Sequence, residues 1–436
     1  MPHLSLPDHP MRYETANELH ARPFPELSAP CRCAYIAIKQ PKNAAKRDRS
    51  ADRAHLIALL DRYGASHPPP DAGHYSGPLG RGFLKWEMHT EFVTYALFTD
   101  GVAEVPFSAE SFSVFPADWL AEAPGAVLTS SLIRMETANP EELAQIVDSK
   151  LHHWFVPESL AAAQVVDQEA VVASDFRLDE RGHIRIAILA REGIGKRRLG
   201  RIAQRLLEIE TYKAASMLTL PVARKVASRV AELDEELTDV VSAMSDPDRD
   251  PAETLDALMK IAGEIEAMSS DTAFRFGAAG AYAAIVNQRI QVLREERIAG
   301  RQLFSEFMMR RYDPAMRTCR SAEERLKEIS ARAERAANLL GTRVNVALTH
   351  QNAKSLESMD RRADLQLRLQ ETVEGLSVVA ISYYAVSLLG YLLGPLGYEF
   401  GISKSWILAG VTIPTVLLVW AMVRQIKKRV AAKAEH

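Results

Sequence analysis

Four hydroxyl side chains near the end of the sequence are spaced to share one face of a helix. Ser377, Tyr384, Ser387 and Tyr391 are separated by seven, three and four residues, intervals that bring helical side chains together. The surrounding segment, 376–396, has no charged residue and is long enough to cross a hydrocarbon core about 30 Å thick. Polar groups in such a segment face protein or water. The stripe therefore either lines a hydrated path for ions or packs against a neighbouring helix.

Other groups of reactive side chains lack the partners that catalysis or metal binding requires. The run 193–197 resembles a phosphate-binding loop, but Ala190 stands where the first glycine is needed and Arg197 where a serine or threonine would hold magnesium. His89 and Glu91 have the spacing of a deaminase motif, but no Pro-Cys-x-x-Cys follows, and the alternating pattern around them predicts a strand. We therefore expect no catalytic residue and no enzymatic activity.

The composition is that of a folded protein with about two or three domains. The chain has 436 residues, of which 47% are hydrophobic and 25% charged. Its 53 basic and 56 acidic residues give a formal charge of −3, so the whole chain offers no electrostatic reason to bind nucleic acid. The three cysteines are too few for a disulfide framework, which favours a reducing compartment.

The C-terminal region has the pattern of a transmembrane hairpin. A second uncharged segment, 406–423, follows the first after a short external turn, 397–405. The tail, 424–436, is rich in lysine and arginine, and this bias predicts that both termini are cytoplasmic. The alternative is an apolar hairpin buried in a soluble helical domain, but two adjacent charge-free segments of this length are difficult to bury there.

The region before the hairpin is predicted to be helical, with successive helices in 191–314 and one stalk helix in 315–375. The stalk has no proline and a single glycine, Gly341. Its apolar residues recur at heptad-like intervals, at Leu326, Ile329, Ala333, Ala336 and Leu340. We expect a rod of about 80 residues, roughly 120 Å long, that continues into the first span. Because such a helix cannot bury its stripe alone, we expect a homo-oligomer.

The N-terminal region, 1–190, predicts an α/β or α+β cytoplasmic domain with about five to seven strands. The strand-like runs are Cys33–Ile38, Phe83–His89, Glu91–Phe98, Val127–Met135, Ala163–Ser174 and His183–Leu189. The helical runs are Tyr13–His20, Ala51–Tyr63 and Glu141–Lys150, and then 196–219, 222–245, 252–271, 272–299 and 302–312. The predicted fold is thus this domain, long antiparallel helices with a stalk, and a C-terminal two-helix transmembrane hairpin.

Four stretches of the sequence resemble a bacterial family of uncharacterised membrane-anchored proteins. They are HPMRYETANELHARPFPELSAP at 9–30, EFVTYALF at 91–98, GRIAQRLLEIETYKAASMLTLPVAR at 200–224 and RLQETVEGLSVVAISYY at 368–384. Together they span essentially the whole chain. The resemblance implies a protein anchored in the bacterial inner (plasma) membrane, and it implies no activity.

The order of segments also resembles the CorA family of divalent-cation channels. That family has a cytoplasmic α/β domain, antiparallel helices, a stalk helix that enters the membrane, a short external turn, a second span and a lysine-rich tail. The resemblance implies a pentamer in the lipid bilayer, with Mg²⁺ or another divalent cation as the transported or regulatory ion. It implies that the stalk, here 315–374, and the stripe of Ser377, Tyr384, Ser387 and Tyr391 line the pore.

The CorA resemblance also implies roles at the ends of the spans. The Gly-Met-Asn signature of that family is replaced here by Gly397-Tyr398-Glu399. Glu399 would form an acidic ring at the outer mouth, and a basic collar would consist of Lys427, Lys428 and Arg429. The expected function is therefore a divalent-cation channel or transporter. The alternative is a non-conducting, membrane-anchored scaffold whose cytoplasmic domain binds a partner.

Overall fold

The protein is described here by a computed structural model. The structure describes residues 6, 8–18, 23–244, 246, 249–298, 300–399 and 403–434. For residues 14, 17, 18, 394–399, 404 and 427–434 it describes the backbone alone. The chain divides into two compact units, Met1–Ala337 and Asn338–His436.

The first unit is built on a sheet that has nine strands within the described residues, more than the number predicted. The strands are β1 (Cys31–Lys39), β2 (His74–Leu79), β3 (Gly82–Met88), β4 (Phe92–Asp100), β5 (Ala126–Ala138), β6 (Ala161–Val165), β7 (Ala170–Leu178), β8 (Ile184–Arg191) and β9 (Glu296–Arg297). Their order is β2-β3-β4-β1-β5-β8-β7-β6-β9. Neighbours are antiparallel except β5 and β8, which are parallel. The sheet is therefore mixed.

Helices cover both faces of the sheet. A short helix, α1 (Arg12–Glu18), precedes β1. One face carries α2 (Arg49–Arg62), α3 (Ala117–Ala121), α4 (Pro140–Gln145) and α5 (Leu151–Trp154). There Ile36, Trp86 and Leu132 pack with Leu56 and Trp119 in one hydrophobic core. The other face carries α6 (Lys196–Met217). Because β1 is covered on both sides, nearly all its residues are buried, which accounts for the apolar run Cys33–Ile38 within it.

Three long helices form the layer beside the sheet. They are α6, α7 (Thr219–Ala243) and α8 (Pro251–Leu293). Leu218 alone separates α6 from α7, and Pro221 lies in the first turn of α7, where a residue without an N–H group is tolerated because the first amides of a helix have no acceptor within it. α8 follows a short connection and packs against both α7 and α6.

The start of α6 is crossed closely by the chain that precedes β1. The amide of Leu27 donates to the carbonyl oxygen of Lys196 at 3.1 Å. A Cβ atom on Gly200 would lie 1.7 Å from the carbonyl oxygen of Pro25. Only glycine allows this approach, so Gly200 fixes how the N-terminal segment lies on the helix.

The last helices carry the apolar segments. α9 (Phe304–Phe307) and a π-helical turn, Met308–Tyr312, precede α10 (Asp313–Glu399). α10 starts in the first unit and ends in the second, and it is continuous through the predicted stalk and first span. α11 (Lys404–Ala434) contains the second span.

The predicted strand Ala163–Ser174 is wrong, because the chain reverses within it to form β6 and β7. Val166, Asp167 and Gln168 make this reversal with φ angles of 54°, 60° and 64°. A left-handed conformation is rare for a β-branched residue such as valine. No glycine or proline marks the turn, so the sequence pattern gave no sign of it.

Two further predictions differ from the structure. α8 is one helix where 252–271 and 272–299 were predicted, since the buried side chains of Thr272 and Phe276 continue its packed face. Residues His89 to Glu91 form the turn between β3 and β4 rather than part of a strand, and the His89 amide donates to the carbonyl oxygen of Phe92 at 2.8 Å.

Both edges of the sheet are short or interrupted. β2 forms one edge and contains Pro78, which has no N–H group. β9 forms the other edge and has two residues. Each edge therefore presents few unpaired backbone groups.

The close approach at Gly200 predicts an asymmetric response of two glycines to alanine. Gly200→Ala should destabilise the protein by about 1–3 kcal/mol, because the added methyl group overlaps the Pro25 carbonyl. Gly263→Ala is the control, since Gly263 lies inside α8 with no atom within 4 Å of an added Cβ. That change should stabilise by about 0.5–1 kcal/mol through helix propensity. Urea denaturation followed by tryptophan fluorescence measures both, and equal effects would contradict the packing described.

Candidate functional site

The apolar parts of α10 and α11 contact each other along a narrow seam. Gly390 is buried, and a Cβ atom at this position would lie 2.8 Å from Leu408 Cδ2. Ser382, Thr415 and Val419 are also buried. Ser382 and Gly390 are eight residues apart and Thr415 and Val419 four, so each pair lies on one face of its helix.

Most of the apolar surface of these two helices is uncovered. In Phe304–Leu393 and in Ser405–Ile426, only 11% of the most apolar 18-residue window is buried. An apolar helix in the core of a water-soluble domain is buried instead. The two helices are long and apolar enough to cross a membrane, and their exposed surface indicates membrane association.

The predicted polar stripe lies on α10. Tyr384 and Tyr391 are 71% and 74% exposed, so α11 does not cover them. Ser387 is half-buried, whereas Ser377 is exposed and donates its hydroxyl to the carbonyl oxygen of Val373 at 2.8 Å. The four hydroxyl groups therefore share a helix with an uncovered apolar surface.

The residues predicted at the ends of the spans are described by their backbone alone. Glu399 is the last residue of α10, and its side chain lies outside the described residues. The same holds for the side chains of Lys427, Lys428 and Arg429, whose backbone is helical in α11. Arg424 is described, and its guanidinium group lies 5.0 Å from the ring centre of Trp420.

The heptad-like stripe of α10 divides into a buried and an exposed part. In the first unit, Leu326, Ile329, Ala333 and Ala336 are each at most 5% exposed. In the second unit, large apolar side chains are exposed at Leu356, Met359, Leu365, Leu367, Leu369 and Val373. The second part of the stalk therefore carries an apolar surface with nothing covering it in the described chain.

In the first unit, the carboxylate of Glu91, in the turn between β3 and β4, is held by three side chains. Arg275 of α8 binds it with both terminal nitrogens, at 2.8 and 3.0 Å. Lys39 Nζ of β1 donates to it at 3.0 Å and the Tyr282 hydroxyl at 2.8 Å. Glu91 is 2% exposed. This cluster joins the sheet to the helical layer.

The charge state of Glu91 follows from these partners. Burial alone would raise the pKa of Glu91, but the hydrogen bonds from Lys39 and Tyr282 and the charge of Arg275 outweigh it and hold the pKa below its usual value. Burial lowers the pKa of Lys39 despite its bond to Glu91. Arg275, which binds both carboxylate oxygens, and Lys39 together supply the counter-charge of Glu91.

A further buried cation, the guanidinium group of Arg47, binds the backbone of the same turn. Arg47 Nε donates to Asp52 at 2.6 Å. Its terminal nitrogens donate to the carbonyl oxygens of His89, at 2.8 Å, of Phe92, at 3.1 Å, and of Thr90. The turn is thus held through its backbone by Arg47 and through a side chain by Glu91. The sequence analysis had rejected a deaminase motif for His89 and Glu91 and had predicted a strand, whereas the structure places both residues in this turn.

Within the described ranges, no three His, Cys, Asp or Glu side chains come together in a way that would hold a metal ion. The cysteines are buried and unbridged: Cys31, Cys33 and Cys319. His55 is also buried, where its Nε2 donates to the carbonyl oxygen of Trp119 at 2.9 Å and its Nδ1 accepts from the Tyr95 hydroxyl at 3.0 Å. Burial lowers the pKa of His55, which is consistent with a neutral ring.

Sequence reasoning missed a polar cavity between the sheet and α6. Lys85 and Glu87 of β3, Gln204 and Glu208 of α6 and Arg289 of α8 line it. The available signal was in β3, where charged Lys85 and Glu87 alternate with buried Leu84 and Trp86. Charges at alternate positions of a strand inside a domain indicate a polar face that is not exposed to bulk water.

These features define a class: a mixed α/β protein with long helices and two apolar helices of membrane-spanning length. A family model described as "Protein of unknown function (DUF3422)" matches residues 7–430, so the chain belongs to that family. In the comparison with curated proteins, none matched the chain. The predicted membership of an uncharacterised family is thus confirmed, whereas the comparisons give no support to the CorA resemblance.

The Glu91 cluster predicts a large stability loss from a small change. Glu91→Gln leaves Lys39 and Arg275 buried without a counter-charge and should cost about 3–5 kcal/mol in free energy of unfolding. Glu264→Gln is the control, because Glu264 pairs with Arg229 on the protein surface and should have little effect. Urea denaturation of the two variants measures the difference. A loss at Glu91 no larger than that at Glu264 would refute the proposed role.

The seam at Gly390 predicts a steric effect that a second change can reverse. Gly390→Leu should push α10 and α11 apart at Leu408 and lower the thermal denaturation midpoint in detergent by several degrees. Leu408→Ala in the same chain should restore much of the loss. Gly375→Leu is the control, since no atom lies within 4 Å of an added Cβ there. Equal effects at 375 and 390 would show that the seam does not form.

Proposed function

We propose that the protein is a membrane-anchored homo-oligomer that passes divalent cations, with α10 and α11 as a transmembrane hairpin. The uncovered apolar surface of both helices supports the anchoring. An aromatic ring and a guanidinium group, Trp420 and Arg424, stack at the end of the second span, as is typical of a membrane interface. The proposed location is the bacterial inner (plasma) membrane, with both termini cytoplasmic because of the basic tail.

The exposed stalk supports self-association. Leu365, Leu369 and Val373 follow one another at intervals of four residues, so they form one stripe along α10. Copies of the stalk that pack around a common axis would bury this stripe, as in a helix bundle. The first unit is compact without it.

One observation carries the proposal of ion passage: the hydroxyl stripe on an uncovered face of α10. In a ring of copies, Tyr384 and Tyr391 would face neighbouring α10 helices or the axis, where hydroxyl groups can replace part of a cation's hydration shell. Ser377 and Ser387 would extend the same path. A CorA-like pentamer with Mg²⁺ or a related ion is the corresponding architecture, with Glu399 at the outer mouth and a collar of Lys427, Lys428 and Arg429.

The second candidate function is a non-conducting, membrane-anchored scaffold or binding protein. The polar cavity favours it, because charged side chains line a space inside the first unit. Under this alternative the stripe on α10 serves helix packing through its hydroxyl groups. The two candidates differ in what a purified oligomer does in a sealed vesicle.

Ion flux into liposomes tests the proposal. Purified protein, with its oligomeric mass first measured in detergent, should admit Mg²⁺, Co²⁺ or Ni²⁺ to vesicles that contain a fluorescent indicator. Tyr384→Leu should lower the flux about tenfold by removing a polar group from the path. Val379→Leu, on the opposite side of the same helix, should leave it unchanged. Glu399→Gln should alter ion entry if that carboxylate guards the mouth.

The outcomes separate the two candidates. No flux from a confirmed oligomer would refute the channel and favour the scaffold. A monomer in detergent and in vesicles would refute self-association. Equal flux in the Tyr384 and Val379 variants would mean that the ions pass elsewhere.

A further inference from the structure

The polar cavity between the sheet and α6 has a volume of about 280 Å³. Its floor is the face of the sheet that carries Lys85, Glu87 and Thr94, and Gln204 and Glu208 of α6 lie across from them. Lys85 is 5% exposed, so its ammonium group lies inside the protein rather than on its surface. Binding sites for small molecules are cavities with largely apolar walls and a few convergent polar or charged groups.

A chain of hydrogen bonds crosses the cavity and orients its polar groups. Lys85 Nζ donates to Gln204 Oε1 at 2.6 Å, and Gln204 Nε2 donates to Glu208 Oε1 at 2.9 Å. Arg289 of α8 then donates from Nε to the other oxygen of Glu208. Three elements of the fold, β3, α6 and α8, therefore hold these side chains in fixed positions.

The cavity contains both hydrogen-bond donors and hydrogen-bond acceptors that no described residue engages. Lys85 has three N–H donors: one donates to Gln204, and the ammonium group also forms an ion pair with Glu87 at 3.2 Å. Arg289 Nη2 donates to no partner in the described part of the chain, and Glu87 Oε2 accepts from none there. By contrast, the Tyr35 hydroxyl is already bonded to Thr211 at 2.5 Å.

We propose that this cavity binds a small zwitterion of the size of a free α-amino acid. The ligand's carboxylate would accept from Lys85 and Arg289, and its ammonium group would donate to Glu87. The remaining walls are largely aromatic or aliphatic and would accommodate a short side chain: Phe24, Tyr35, Ala96, Phe98, Leu207 and Tyr212.

Charge balance favours a zwitterion over a simple ion. The acidic and basic side chains that the structure describes in the lining are two of each sign, Lys85, Arg289, Glu87 and Glu208, and the titratable ring of His89 lies beside them. A bound anion or cation would leave one unmatched charge in a partly buried site, which costs free energy. A zwitterion adds one charge of each sign and satisfies donors and acceptors together.

Binding to the full-length protein in detergent tests the proposal. Each L-α-amino acid, at up to about 10 mM to reach millimolar dissociation constants, is screened by thermal shift, and isothermal titration calorimetry then measures those that raise the denaturation midpoint. At least one amino acid should bind. Its N-acetyl derivative and its amide, each of which lacks one of the two charges, should bind at least about tenfold more weakly.

Variants localise the binding. Glu87→Gln should weaken it about tenfold or more, and Ala96→Leu should do the same by filling the cavity without removing a charge. Glu104→Gln, an exposed site outside the cavity, is the control and should not change the affinity. The proposal is overturned if no amino acid binds, if the singly charged derivatives bind as well as the zwitterion, or if folded Ala96→Leu protein keeps full affinity.

Discussion

A buried carboxylate, that of Glu91, holds the sheet of the first unit to its helical layer. Its partners come from β1 and α8, two elements far apart in sequence, and each partner is itself buried or half-buried. Charges in such a position are tolerated only when every one of them is matched, so the layers cannot slide without leaving a charge exposed to an apolar surrounding. The cavity lies between the same layers and includes His89, two residues from Glu91. The positions of its lining groups therefore depend on this cluster.

The second unit obeys a different constraint, which is the removal of apolar surface from water. Among the side chains that the structure describes, α10 and α11 cover each other along the Gly390 seam, and the stalk part of α10 exposes leucines along much of its length. A bilayer and neighbouring helices are the two environments that cover such surfaces. Hydroxyl groups in the apolar part of α10 add polar side chains to this exposed surface.

The features that the sequence predicted are those encoded by local patterns. β1 and β4 end within two residues of the predicted runs Cys33–Ile38 and Glu91–Phe98, because the apolar residues of a buried strand are contiguous. The apolar parts of α10 and α11 were recognisable because their apolar residues are also contiguous in the sequence. The reversal at Val166 was not, since valine is an uncommon residue in a left-handed turn. The alternating charges of β3 indicated a polar face, but the cavity itself was not predictable, because the hydrogen bond from Lys85 to Gln204 joins residues 119 positions apart.

The two edges of the sheet limit how copies of this chain can associate through β-strand pairing. With Pro78 in β2 and only two residues in β9, neither edge offers the regular row of donors and acceptors that a strand from another molecule would need. Strand-by-strand recruitment, the route to fibrils, is thereby blocked at both ends of the sheet. Copies crowded side by side can meet through their helices, while the β-rich core of each one stays out of the aggregate.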